Sequence, residues 1–366
     1  MQENSVTGNY ILQLDGLRFF AVGGVMSGHW LNISYLKNIN PFFASAGVNL
    51  FFVLSGFLIT QILLQVKKNG VSTPLALKQF YIRRFLRIFP LYYFVIFAGR
   101  LIKIPTSETH FIWFFTYTTN ILCTINSGQC GFFTHLWSLA VEEQFYIVFP
   151  FVILFVPLRL ILKSFYIIIG LAFLSKVFVF FFLRQYEWAS YSLTPCCFDC
   201  FGIGSILAFY KIFSPEKLQE LLKRKYLFFL FLAIAVGLYT VSFLGSTYTF
   251  FSSVFYRLTY SIFCFWLIGV ASTTSFKGVF KYILENKIIT YLGKISYGIY
   301  VYHHFMPYLF SYIGWDENHS LLTNSIIYFL TTVLISTLSW FLFEKPINDL
   351  KRYFDYTRPT ELKTAV

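Results

Sequence analysis

Residues 44–65 read ASAGVNLFFVLSGFLITQILLQ, a run of 22 residues without one charged side chain. At ~1.5 Å per residue a helix of that length covers about 33 Å, enough to cross the ~30 Å hydrocarbon layer of a bilayer. Strands of a membrane barrel alternate apolar and polar side chains, and this run does not. Similar blocks lie at 16–34, 88–103, 137–157, 164–183, 195–213, 226–245, 253–271, 288–310 and 322–343. The expected fold is all-α, a polytopic transmembrane bundle of about ten spans. With 57% hydrophobic and 12% charged residues, the chain has too little polar surface for a water-soluble globule.

The net charge of +13 reads as a topology signal rather than a nucleic-acid footprint. Lys67, Lys68, Lys78, Arg83, Arg84 and Arg87 fall in one expected loop, and Lys211, Lys217, Lys223, Arg224 and Lys225 in a second. Lys277, Lys281 and Lys287 fall in a third, Arg159 and Lys163 in a fourth, and Lys345, Lys351, Arg352, Arg358 and Lys363 in the tail. With about ten spans these share one side, whereas the opposite loops hold little beyond Lys37, Arg100, Lys103 and Arg184. The positive-inside rule then places both termini in the cytoplasm. The organisation expected is a cytoplasmic tail over 1–15, a transmembrane domain over 16–346 and a second cytoplasmic tail over 347–366. No cleavable leader is expected, because the first block lacks a basic n-region and carries Arg18 and His29. No appended soluble domain is expected either. The aromatic stretch 111–122 is too short to cross and is expected at the interface or as a re-entrant piece against protein. Cys123 and Cys130 share an outward loop where an oxidising compartment would join them, a pairing that sequence leaves open. Cys196, Cys197 and Cys200 have one C-x-x-C spacing without a second pair or a nearby His, so packing residues are expected over a metal site.

Charged groups inside a span are costly unless they face the bundle interior, which makes each a functional candidate. Arg18 and His29 are 11 residues apart, about three turns, so they share a helix face and stand ~16 Å apart along the axis. A neutral imidazole there can take a proton from a hydroxyl; the alternative is a snorkelling Arg and a His bonded to a neighbouring helix. In LWSLAVEEQFY (136–146), Glu142 and Glu143 point about 100° apart, so one carboxylate is expected to enter the bundle and orient or charge-stabilise a histidine. A helix-dipole role is the alternative, and Ser138 has the type and place of an N-cap. In YIRRFLRIFP (81–90), Arg84 and Arg87 lie one turn apart and can converge on a phosphate, or can serve as topology and lipid-contact residues. Asn49 and Ser55 lie in the second span, where Ser55 and Gly56 suit close helix packing. Asp199, Arg257 and His303 are further polar groups inside spans, without partners assignable from sequence.

Six ordered stretches, LDGLR with His29, GVNLFFVLSGFLIT, YIRRFLRIFP, LWSLAVEEQFY, ISYGIYVYHHF and FEKP, run from Leu14 to Pro346. Together they resemble the acyltransferase-3 family of membrane-bound O-acyltransferases. The resemblance implies transfer of an acyl group, commonly acetyl, from cytoplasmic acetyl-CoA or another acyl-CoA to hydroxyls of an extracytoplasmic glycan such as O-antigen, lipopolysaccharide or exopolysaccharide, at a bacterial inner membrane. It implies catalytic roles for His29, Arg18 and Glu143, donor binding by Arg84 and Arg87, and supporting roles for Glu142, Ser55, Asn49 and His303. No metal is implied. Asn49 departs from the Asp more common in the family at that position, and the extra periplasmic esterase-like domain of some relatives is not seen in this sequence. Either His29 acts as general base with Glu143 fixing the imidazole, or it becomes acylated in a relay. A polytopic transporter or flippase is the competing class, since it too places Arg, His and Glu inside a bundle. A membrane scaffold or sensor is a third and needs no buried His.

Overall fold

A computed structural model gives the fold over residues 10–31, 40–186, 188–244, 249–315 and 319–356. Residues 1–9 of the expected tail, the end of the first expected span beyond residue 31, the last residue of the span expected over 226–245, and Lys37, Arg358 and Lys363 lie outside the described residues. Among the described residues every regular element is a helix. In chain order α1 (Leu12–Trp30), α2 (Asn40–Lys68) and α3 (Thr73–Leu101) are followed by the short α4 (Phe111–Phe115) and α5 (Thr119–Ile125). A 3₁₀ segment, Gly131–Leu136, leads into α6 (Trp137–Phe155), then α7 (Leu158–Phe182), α8 (Ala189–Ser192), α9 (Phe198–Phe213), α10 (Pro215–Lys223), α11 (Lys225–Leu244) and α12 (Phe250–Thr273). The last stretch holds α13 (Gly278–Leu284), α14 (Lys287–Lys294), α15 (Ser296–Tyr302), α16 (Met306–Tyr312), α17 (Leu321–Ser339) and α18 (Lys345–Asp349).

Among the described residues six stretches are helical, long and apolar enough to cross a membrane: Pro41–Lys68, Gly131–Phe155, Leu158–Phe182, Thr194–Phe213, Phe250–Thr273 and Leu321–Tyr353. They overlie the expected spans at 44–65, 137–157, 164–183, 195–213, 253–271 and 322–343. α11 adds a shorter apolar segment, Lys225–Val241. α1 and α3 are long helices that carry several charges, among them Asp15, Arg18, Arg83, Arg84 and Arg87.

The expected basic loop before residue 88 is for the most part helix. α3 starts at Thr73 with Pro74 in its first turn, so Lys78, Arg83, Arg84 and Arg87 ride on the same rod as the apolar residues that follow; Lys and Arg are good helix formers and Pro suits a helix start. Arg159 and Lys163 likewise lie in the first turns of α7, after Pro157. The expected span over 288–310 is broken into α14, α15, a 3₁₀ turn at His303–Phe305, and α16. Two features favour the break: His303 Nδ1 donates to the Tyr300 carbonyl at 2.6 Å, and Pro307 has no N–H to continue an α-helical ladder.

α2 is the central helix, with α9 on one side and α1 on another. A Cβ on Gly56 would stand 2.4 Å from the Phe201 carbonyl oxygen, and one on Gly204 would stand 2.2 Å from that of Val53, so α2 and α9 meet backbone to backbone. A Cβ on Gly47 would meet the Ala21 carbonyl oxygen at 2.2 Å, which fixes α1 against α2. Lys67, at the end of α2, donates to the carbonyls of Ile153 (2.8 Å), Leu154 (3.0 Å) and Val156 (2.5 Å), satisfying acceptors that the end of α6 leaves open. α7 and α17 turn Phe178, Phe181, Phe182, Leu330, Leu334 and Leu338 outward, the face that lipid covers. The 111–122 stretch packs against protein: Phe114 and Leu122 are buried, and Asn120 donates to the Ser192 carbonyl (3.2 Å) and to Thr194 Oγ1 (3.1 Å). Cys123 and Cys130 form a disulfide.

Candidate functional site

Two cavities lie along α1. The larger, about 540 Å³, has His29, His135, Trp137, Lys176, Tyr191 and Arg257 on its wall; the smaller, about 110 Å³, has Arg18, Ser55, Arg84, Arg87, Glu142 and Tyr146. Val48 and Tyr300 line both, so they form the partition between the cavities. The Tyr300 hydroxyl donates to the His135 carbonyl at 2.7 Å, and Ser138 Oγ lies 2.5 Å from that hydroxyl. Ser138 is therefore bonded to the partition residue Tyr300 rather than serving as an N-cap. α6 begins one residue earlier, directly after the 3₁₀ segment, without a side-chain cap.

His29 sits in the last turn of α1 with its ring exposed to the larger cavity. His29 Nδ1 lies 2.8 Å from His303 Nε2, and the two rings are near-parallel, at 3°. His303 is fully buried, and its Nδ1 lies 2.6 Å from the Tyr300 carbonyl. A carbonyl can only accept, so His303 Nδ1 carries the hydrogen. With both rings neutral, His303 Nε2 is then an acceptor and His29 Nδ1 must donate to it. The lone pair of His29 is left on Nε2. Two more imidazoles are fixed by backbone carbonyls: His304 Nδ1 at 2.9 Å from Phe132 O, and His135 Nε2 at 3.1 Å from Val301 O. His135 Nδ1, buried within the same cluster, makes no hydrogen bond to a described residue.

In the smaller cavity Arg84 and Arg87 come together as the one-turn spacing suggests, and Arg18 joins them. Arg18 is bonded to Asp15, which also accepts from Tyr10. Glu142 is the carboxylate on this wall: Oε1 accepts from Ser55 Oγ at 2.9 Å and Oε2 from the Tyr146 hydroxyl at 3.1 Å. Arg84 lies over the Tyr146 ring at 5.1 Å. With Arg18 paired to Asp15 and Glu142 on the wall, the three guanidinium groups still outnumber the carboxylates, a surplus suited to phosphate.

Glu143, expected beside His29, lines neither cavity; it is buried and its Oε1 makes no hydrogen bond. The side chain bonded to His29 is an imidazole instead, that of His303. Asn49 is also off both walls, fully buried with its Oδ1 3.9 Å from Cys200 Sγ. Asp199 pairs with Lys176, a residue that sequence inspection passed over although a lysine inside an apolar block is itself a signal. Arg257 donates to Tyr191 O at 2.7 Å and lies 2.8 Å from Cys197 Sγ, while Ser261 Oγ donates to Cys200 Sγ at 3.1 Å. His135, His304 and Tyr300 carry no signal of this role in the sequence beyond the adjacency of His303 and His304.

Residues 11–344 match the family model described as an acyltransferase domain. The peptidoglycan O-acetyltransferase OatA of Listeria monocytogenes is 30% identical over 374 aligned positions, covering 94% of this chain and 57% of that protein. The O-acetyltransferase OatA of Staphylococcus aureus is 28% identical over 94% of this chain and 58% of its own length. A putative peptidoglycan O-acetyltransferase of Bacillus subtilis, YrhL, is 28% identical over 92% and 55%. The chain therefore spans less than two thirds of these relatives. No solved structure matches it.

Proposed function

The chain belongs to the acyltransferase-3 family, and from that premise we propose that it moves an acetyl group from a cytoplasmic acyl-CoA to a hydroxyl of an extracytoplasmic glycan. The observation that carries this is the His29–His303–Tyr300 carbonyl chain, which leaves the lone pair on Nε2 of a histidine that lines a cavity large enough for a sugar. The relatives' names point to peptidoglycan as the acceptor to try first, ahead of O-antigen or lipopolysaccharide.

The proposed membrane arrangement has about ten spans, both termini in the cytoplasm and the arginine-lined cavity on the cytoplasmic side. The basic residues of α3 and the outward loop holding the Cys123–Cys130 disulfide support it. Arg84, Arg87 and Arg18 hold the donor phosphates, and the pantetheine arm passes the Val48–Tyr300 partition toward His29, a rise of ~16 Å along α1. His29 Nε2 takes the acceptor's hydroxyl proton. The oxygen attacks the thioester carbonyl, the C–S bond breaks, and the proton leaves with the CoA sulfur. His303 stays neutral and accepts from Nδ1–H of the imidazolium, the orienting role a carboxylate plays in hydrolase triads.

The test is transfer of labelled acetyl from acetyl-CoA to cell-envelope glycans by purified wild type beside His29→Ala of equal thermal stability. Label in the glycan with wild type and none with His29→Ala is the expected result. Absence of label with wild type across several acyl-CoA chain lengths would overturn the proposal in favour of a transporter.

A further inference from the structure

We infer that the larger cavity selects glycans bearing an anionic substituent, a carboxylate or a phosphate, through Arg257. The inference rests on the acceptor reading above and names the chemistry that reading leaves open. Among the described residues the cavity wall holds two cations, Lys176 and Arg257, and no Asp or Glu. Lys176 is already neutralised: it is 1% exposed and bonded to Asp199, whose other oxygen accepts from the Cys200 N–H at 3.0 Å. Arg257 differs. It is 4% exposed, and among the described residues no carboxylate stands within ion-pair distance of it. Its hydrogen bonds run to the carbonyls of Tyr191 (2.7 Å) and Cys196 (3.4 Å) and to Cys197 Sγ (2.8 Å), and its guanidinium lies over the Tyr191 ring at 5.2 Å.

Those contacts fix the plane of the guanidinium and satisfy part of its donor set. They do not cancel its charge, and a buried cation beyond ion-pair distance of every described carboxylate is costly to hold. An anionic group entering the cavity supplies that counter-ion and can accept from the remaining donors in the fork geometry that carboxylates and phosphates match. The rest of the wall suits the sugar that carries the anion: Trp137, Trp188 and Tyr256 offer aromatic faces, and Ser252 and Ser253, whose hydroxyls donate to the Thr249 carbonyl, offer acceptor oxygens. His29 is on the same wall, so an acceptor anchored at Arg257 presents its hydroxyls to the base.

The experiment is equilibrium binding to the purified full chain by isothermal titration, with three matched disaccharides: a hexuronic acid form, its carboxyl-reduced form and a phosphorylated form. Wild type is expected to bind one anionic form about ten- to a hundredfold more tightly than the neutral form; the comparison of the two identifies the anion. Arg257→Gln is expected to erase the difference, and Arg257→Lys to retain part of it. Equal binding of all three by wild type would overturn the inference, and that comparison needs no folded variant. A preference that survives in a folded Arg257→Gln would also overturn it. A binding preference without acetyl transfer would sustain the inference and count against the proposed reaction alone.

Discussion

Replacing His303 by Phe keeps a ring beside His29, where the two imidazoles now lie near-parallel with centroids 5.0 Å apart, and removes both nitrogens. Two bonds go: the 2.8 Å contact that holds His29 Nδ1 and the 2.6 Å contact to the Tyr300 carbonyl. The first sets which nitrogen of His29 carries the hydrogen. Without it the proton can sit on Nε2, the nitrogen that faces the acceptor, and the base is lost in that fraction of molecules. A buried hydrogen-bonding group left without its partner costs about 1–3 kcal/mol, and at ~1.4 kcal/mol per tenfold the rate should fall about 5- to 150-fold. Removal of the base itself, His29→Ala, should cost about 10²- to 10⁴-fold. Because His303 acts through His29, the double variant should be no slower than His29→Ala alone. The assay is single-turnover acetyl transfer at saturating donor, with thermal stability of each protein measured in the same detergent. A folded His303→Phe with wild-type rate, or losses that multiply in the double variant, would refute the orienting role.

Arg84→Ala and Arg87→Ala should each raise the donor KM about tenfold or more, through loss of a charge-assisted hydrogen bond, with a weaker salt dependence of KM than wild type; unchanged KM in both would remove the donor from that cavity. Val48→Phe places a phenyl ring in the partition that both cavities share, so transfer should drop at least about tenfold while donor affinity, measured by titration, stays within about twofold. Lys176→Met strips the counter-ion from Asp199, where both side chains are at most 2% exposed, and should cost about 3–5 kcal/mol of stability; adding Asp199→Leu should recover most of it, as read by thermal denaturation. Cys123→Ser with Cys130→Ser opens a link between residues 7 apart and should cost about 2–3 kcal/mol by loop-closure entropy, with the same readout.

How far the sequence carries the fold and the site depends on whether a feature is local. A run such as 44–65 announces a helix by length and lack of charge, and the six long apolar helices lie where such runs occur. The start of α3 was less legible, because basic residues mark the edge of a hydrophobic block but do not end a helix. Arg18 and His29 are placed on one helix by spacing alone. Which cavity each one meets depends on where α2 and α15 cross α1, and those crossings are set by contacts such as Gly47 against Ala21, which no single window contains. The Glu142–Glu143 pair shows the same limit. Adjacent carboxylates diverge by about 100°, and only the 2.9 Å bond from Ser55, 87 residues away in sequence, reveals which one faces the arginines.

The partner of His29 is 274 residues distant and is another histidine. A search for a carboxylate beside the base could not have found it, because hydrogen-bond polarity identifies the orienting group more reliably than its charge. An imidazole whose Nδ1–H is committed to a carbonyl is an acceptor at Nε2, as a carboxylate oxygen is, but it brings no second buried charge into the bundle. Inside a membrane domain that difference is worth several kcal/mol. A neutral chain from Tyr300 O through His303 to His29 therefore orients the proposed base at lower cost than an ion pair would, and Arg257 is then the cation on the larger cavity's wall for which the described residues supply no ion-pair partner.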